Sequence, residues 1–263
     1  MPTILDWKEI RVATDLKYDS PRASGTHDGF SVNVSVLDRK TGQYSPFIIV
    51  GPKLSIPFGL KKKEGPYGAR YSCDMAFPGV VKNMVTGQYE GDPELVRFLK
   101  FCFELDEKNK AQAFALANEW FKKNVKKEVI DEFYFSNVMT PREEARYSPT
   151  LSTRIQHGNE GFKTQFYNQF KREIEFESIG AGLRVIPLIE TRGIWIAGKS
   201  FGMSLKLVQL LVFERDTFKG CCIDTGLIDD EVPRGVGATG SDSDDPREEG
   251  HPRGLAPGMV LPA

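Results

Sequence analysis

Residues 193–200, Gly-Ile-Trp-Ile-Ala-Gly-Lys-Ser, spell the G-x-x-x-x-G-K-S pattern of a phosphate-binding loop letter for letter. Such a loop works because small residues let several backbone amides converge on an anion, and a helix begins directly after it. Here the four interior residues are bulky and β-prone, and the chain alternates from Met203 to Phe213 as a strand does. These residue types point away from nucleoside-triphosphate binding and towards a hairpin. Its strands would cover 194–196 and 203–213, with Gly198-Lys199-Ser200-Phe201-Gly202 as the turn. A rim bearing Trp195, Lys199 and Phe201 offers another chemistry: rings can stack on the bases of a single nucleic-acid strand while an ammonium meets its phosphates.

A second grouping of this kind lies upstream, in residues 52–63. Phe58 is followed by Gly59 and by Lys61, Lys62 and Lys63, with Tyr67, Arg70 and Tyr71 close behind. Interleaved aromatics and cations suit base stacking combined with phosphate neutralisation. The same spacing fits a core Phe58, a solvated lysine loop and ordinary strand tyrosines equally well, so both readings stay open here. Arg142, Arg146, Arg154, Lys163, Lys171 and Arg172 add positive charge, and the sequence does not say which way they face.

No catalytic constellation accompanies these groups. The G-x-G-x-x-G, G-x-S-x-G and H-E-x-x-H patterns are absent. Cys73, Cys102, Cys221 and Cys222 form no C-x-x-C, and His27, His157 and His251 are scattered. These spacings support neither a zinc site nor a disulfide framework. Free thiols in a reducing compartment, no metal, no cofactor and no enzymatic activity are the expectations. Asp229-Asp230 and Asp244-Asp245 lie in a flexible-looking tail, where they cannot be held in place for acid–base work.

The elements that must position the aromatic and basic groups follow from periodicity. A chain of 263 residues with 40% hydrophobic content and 18 Phe has ample material for one large core. Residues 9–16 and 30–37 alternate, the latter placing Val32, Val34 and Val36 on one face; 44–50 returns after a turn at 40–43, and 67–77 makes a further strand. At Asp92-Pro93 the period changes to that of a helix, with Asp92 as cap and Pro93 in the first turn. Two helices are expected within 92–130, one ending near Leu105 and one over 108–123. Strands resume at 162–167, 173–176 and 183–190, where Pro187 suggests an edge or a break. After Leu227 periodicity disappears into Gly, Pro, Ser and Asp, which predicts a disordered tail. The net charge of −1 hides a division. From Asp224 onward nine acidic residues face three arginines, leaving the tail at −6 and the rest of the chain at +5. With no signal-peptide pattern and no long apolar run, a soluble intracellular protein without a membrane partner is expected.

Two blocks carry a resemblance. Pro52-Lys53-Leu54, Pro57-Phe58-Gly59 and Tyr71-Ser72-Cys73-Asp74-Met75 form the first, and Gly193-Ile-Trp-Ile with Gly198-Lys-Ser-Phe-Gly202 the second. In this order, with helices between, they resemble the single-stranded-DNA-binding proteins of nucleocytoplasmic large DNA viruses, themselves related to podophage-type proteins with acidic tails. About a third of the chain is covered. The resemblance implies an OB-fold-like β-barrel with a helical insertion, so α+β but mainly β, over residues 1–226, and an acidic then Gly/Pro-rich tail over 227–263. It implies DNA contacts at Phe58, Lys61, Lys62, Tyr71, Trp195, Lys199 and Phe201. The tail would compete with DNA and recruit a viral DNA polymerase or other replication proteins; the last ten residues depart from that pattern, being apolar and proline-rich.

Taken together, these features suggest a sequence-tolerant single-stranded-DNA-binding protein of viral replication, recombination or repair, acting inside the host cell in the nucleus or at a cytoplasmic replication site. A homodimer is compatible with this. The rival is a viral structural or assembly protein that binds no nucleic acid.

Overall fold

The structure is a computed structural model that describes residues 3–23, 29–65 and 68–214, except for the Arg192 side chain. The expected tail over 227–263 lies outside the described residues.

Five strands close on themselves. β1 runs in two pieces, Gln43–Val50 and Leu54–Ile56, either side of a bend at Gly51-Pro52. β2 is Arg70–Ala76, β3 is Thr150–Ile155, β4 is Leu183–Ala197 and β5 is Ser200–Phe213. Their order around the ring is β1–β2–β3–β5–β4 and back to β1. Every pairing is antiparallel except β3 with β5, which runs parallel through Arg154 opposite Lys206 and Ile155 opposite Leu207. This mainly β, OB-fold-like barrel is the architecture expected from the sequence. Alternation decides what fills it: Leu54, Ile56, Cys73, Met75, Leu151, Ile155, Val185 and Leu207 are all buried, while their chain neighbours Ser72, Ser152 and Arg154 look outward.

A helical insertion sits between β2 and β3: α1 (Pro93–Ala115), α2 (Ala117–Phe121) and α3 (Lys127–Phe133). The Asp92 carboxylate accepts from the backbone N–H groups of Glu94 and Leu95, which starts α1. α1 continues through the expected break near Leu105, because Asp106 and Asn109 are satisfied inward. Tyr134 Oη donates to Asp106 at 2.6 Å, and Asn109 binds the hydroxyls of Tyr18 and Tyr134. Phe98, Phe101, Cys102 and Leu105 pack against Phe47, Ile49, Leu151 and Ile189. Cys73 and Cys102 are free and buried, and desolvation pushes both thiols above the ordinary thiol range.

Three local expectations are corrected. Residues 12–15 form a helical turn rather than a strand, held by the Asp15 carboxylate, which accepts from Arg11 N–H at 2.9 Å. Pro187 lies inside β4, directly before a register shift at Leu188/Ile189, and its carbonyl still accepts from Gly51 N–H at 2.8 Å. The β4–β5 turn is only Gly198-Lys199, with Ser200, Phe201 and Gly202 already in the strand. The literal phosphate-loop pattern is therefore hairpin. Gly193 occupies a bulge where a Cβ would lie 1.9 Å from the Val32 carbonyl oxygen, which explains the glycine without any anion.

Candidate nucleic-acid interface

The outer face of β2 and β3 is built by the pleat. Buried Cys73 and Met75 on β2, and Leu151, Thr153 and Ile155 on β3, turn Arg70 and Ser72 outward beside Ser152 and Arg154, with Asp74 on the same side but buried beneath Lys61. The short strand Leu60–Lys63 extends this sheet, with Lys61 opposite Ser72 and Lys63 opposite Arg70. From Ala76 to Arg70 the face is about 20 Å long at ~3.3 Å per residue.

At one end lies a cleft of about 490 Å³ lined by Phe58, Ala76, Met139, Arg146, Tyr147 and Thr150, among others. Phe58 is 64% and Tyr147 50% exposed, and the Arg146 guanidinium lies 5.1 Å from the Tyr147 ring. In the middle, Lys61 Nζ sits 4.9 Å from the Phe58 ring and 2.6 Å from Asp74 Oδ2, while Ser152 Oγ donates to Asp74 Oδ1 at 2.6 Å. The acid is thus neutralised and fully bonded. At the other end a pocket of about 250 Å³ is lined by Arg70, Tyr71, Arg154, His157, Lys163 and Lys206, and among the described residues no carboxylate lines it. Among the described residues Arg70, Arg154 and Lys163 have no ion-pair partner. Exposed rings at one end, cations at the other and a neutralised acid between can hold a polyanion whose bases have π-faces.

The residues expected from sequence divide. Phe58 and Lys61 lie on this face. Tyr71 borders it from the barrel end, half-buried, its ring 5.0 Å from His157, 4.9 Å from Phe162 and 5.5 Å from Phe176. Lys62 points to the opposite side from Lys61 and pairs with Glu64 at 2.7 Å. Trp195 is half-buried on the outer surface opposite Gly202, 5.8 Å from the exposed Phe135 ring. Alternation along β5 puts Gly202 on the same side as Lys206, about 13 Å further on at that strand's rise. Lys199 is exposed at the hairpin tip, 5.7 Å from the Phe133 ring. Phe201 is a correction: it is 0% exposed, packed edge-on against Phe121 and Tyr134, so no base can reach it.

Tyr147 and Lys206 were not singled out by sequence, and Arg154 and Lys163 carried only unplaced charge. The signal for Arg154 was present in the alternation of 150–155, but it needed the β2–β3 pairing to acquire a face.

Two expected outcomes follow. Phe58→Ala should weaken binding of a single strand by about 1–3 kcal/mol, measured by fluorescence anisotropy, with the melting temperature unmoved because the ring is exposed. Asp74→Asn should do the reverse. It removes a negative charge from the face and releases Lys61, so affinity should rise several-fold and the salt slope steepen by about 0.7.

With this geometry in view, comparison with known proteins gives the following. A family profile described as "Family of unknown function (DUF5871)" matches residues 94–220. No curated protein matches. Among solved structures, the single-stranded DNA-binding protein from bacteriophage Enc34 is similar at 13% identity and a TM-score of 0.36, over 80% of this chain and 97% of that one. Its complex with single-stranded DNA is similar at 12% identity and a TM-score of 0.36, over 77% and 99%. Gp2.5, a single-stranded DNA-binding protein encoded by bacteriophage T7, is similar at 15% identity and a TM-score of 0.39, over 74% and 100%. At these TM-scores the likenesses assign neither ligand nor role.

Proposed function

We propose that this protein binds single-stranded DNA, without strong sequence preference, along the outer face of β2 and β3, and that it serves viral DNA replication, recombination or repair. One observation carries the binding: the exposed rings of Phe58 and Tyr147 share a 20-Å-scale face with Arg70, Arg154 and Lys163, which have no ion-pair partner among the described residues. Stacking is sequence-tolerant because every base has a π-face, and the cations supply a salt-dependent term. A structural or assembly protein has no need of rings and unpaired cations arranged together in this way.

Anisotropy titration of a labelled single strand and of its duplex across a salt series tests the proposal. Preferential binding of the single strand with a steep salt slope supports it, and no binding at low salt refutes it. The acidic segment after Leu227 enters as a competitor for the same cations, by charge alone. A chain ending at Leu227 should therefore bind several-fold more tightly than the full chain. Equal affinity would remove the competitor role and leave the interface standing.

A further inference from the structure

The 250 Å³ pocket at the end of the β2–β3 face differs from the rest of that face. Arg70 is the first residue of β2, and Arg154 is next to last in β3, so the flat sheet surface ends here. Beyond β3 the chain turns at once into a small hairpin, pairing His157 with Phe162, and Lys163 N–H then returns to the Gln156 carbonyl at 2.8 Å. His157 of that hairpin lines the pocket. The His157 and Phe162 rings pack on Tyr71, and Phe176 stacks on Phe162 with ring centres 4.6 Å apart. The Lys163 side chain crosses Gly158, where an added Cβ would lie 3.1 Å from its Cε, and so leans over the pocket mouth. Cations thus arrive from β2, β3 and the segment after the hairpin. Lys206 joins them from β5, with Glu190 opposite it on β4.

Three cations around one pocket, Arg70, Arg154 and Lys163, without an ion-pair partner among the described residues, exceed what one internal phosphodiester, with its single charge, requires. They match a phosphomonoester, which carries about −1.5 to −2 at neutral pH and three acceptor oxygens. The position matters as much as the charge. The paired sheet of β2 and β3 ends at Arg70 and just past Arg154, so the pocket lies where a strand following that face reaches its end. We propose that this pocket holds the terminal phosphate of a single strand, and so fixes the end and direction in which the strand lies. This rests on the strand-binding reading above.

The test compares one oligonucleotide in three forms: 5′-phosphorylated, 3′-phosphorylated and with neither phosphate. Each is titrated into the full chain, into Arg154→Ala and into Lys163→Ala. Both residues are exposed, so both variants should fold, which melting temperature verifies. One phosphorylated form should bind about tenfold more tightly than the unphosphorylated strand, and either variant should abolish that advantage while retaining weaker binding. Equal affinity of all three forms for the full chain overturns the terminal-phosphate assignment and leaves strand binding intact. A parallel titration with adenosine 5′-monophosphate separates the two sources of the same chemistry. If the mononucleotide binds and no oligonucleotide does, the pocket serves a free nucleotide, and both the strand-end assignment and the strand-binding reading fall.

Discussion

Reversing two charges, Arg70→Glu with Arg154→Glu, should weaken single-strand binding by about 100-fold or more. Each substitution deletes a charge-assisted contact of roughly 1.5–3 kcal/mol and sets a carboxylate against phosphate. Losing two cations should also flatten the salt dependence by about 1.4 in slope, since single strands give ~0.7 per phosphate neutralised. Both side chains are exposed and neither forms an ion pair among the described residues, so thermal stability should stay within about 0.5 kcal/mol. Anisotropy across a salt series, run beside a melting curve, reads both quantities. Unchanged affinity with an intact fold would place any interface elsewhere on the barrel.

Phe201→Ala should show the opposite division. Its ring has no exposure and touches Phe121 at 5.4 Å and Tyr134 at 5.2 Å between ring centres, so truncation leaves a cavity between β5 and the helical insertion. Such losses cost about 3–5 kcal/mol, a large part of the stability of an ordinary domain. Denaturant unfolding should register most of that. Any fall in DNA affinity should disappear at temperatures where the variant remains folded. A variant of wild-type stability with lost affinity would restore Phe201 to the interface and contradict its burial. The contrast with Phe58→Ala is instructive, because both rings were equivalent candidates by residue type and neighbouring lysines.

That contrast marks how far the sequence could be read. Val32, Val34 and Val36 were legible as one buried face, and all three are buried. The Asp92 cap and the helical insertion were legible because capping and 3.6-residue periodicity are local. Alternation on either side of those helices made the chain legible as mainly β, and the resemblance supplied the barrel. The phosphate-loop pattern was rejected on the bulk of its interior, and the hairpin at Gly198-Lys199 bears that out. Residues 12–15 depart from the local alternation because the Asp15 carboxylate accepts from Arg11 N–H, and Pro187 sits beside a register shift, where a strand tolerates proline.

The sequence by itself determined where alternation and helical periodicity are strong, how charge divides along the chain, and that stacking rings and cations exist in quantity. Those are properties of near neighbours along the chain. The barrel strand Thr150–Ile155 and the helical turn Val12–Asp15 it did not mark. Only the tertiary structure decided which of them share a surface. Phe58, Tyr147, Arg154 and Lys163 are brought together by strand pairings between residues about 80 positions apart, as Cys73 meets Thr153. Alternation assigns each side chain to one face or the other, but barrel closure decides which face is inside. The helical insertion then buried Phe201 against Phe121 and Tyr134, while Phe58 stayed in solvent.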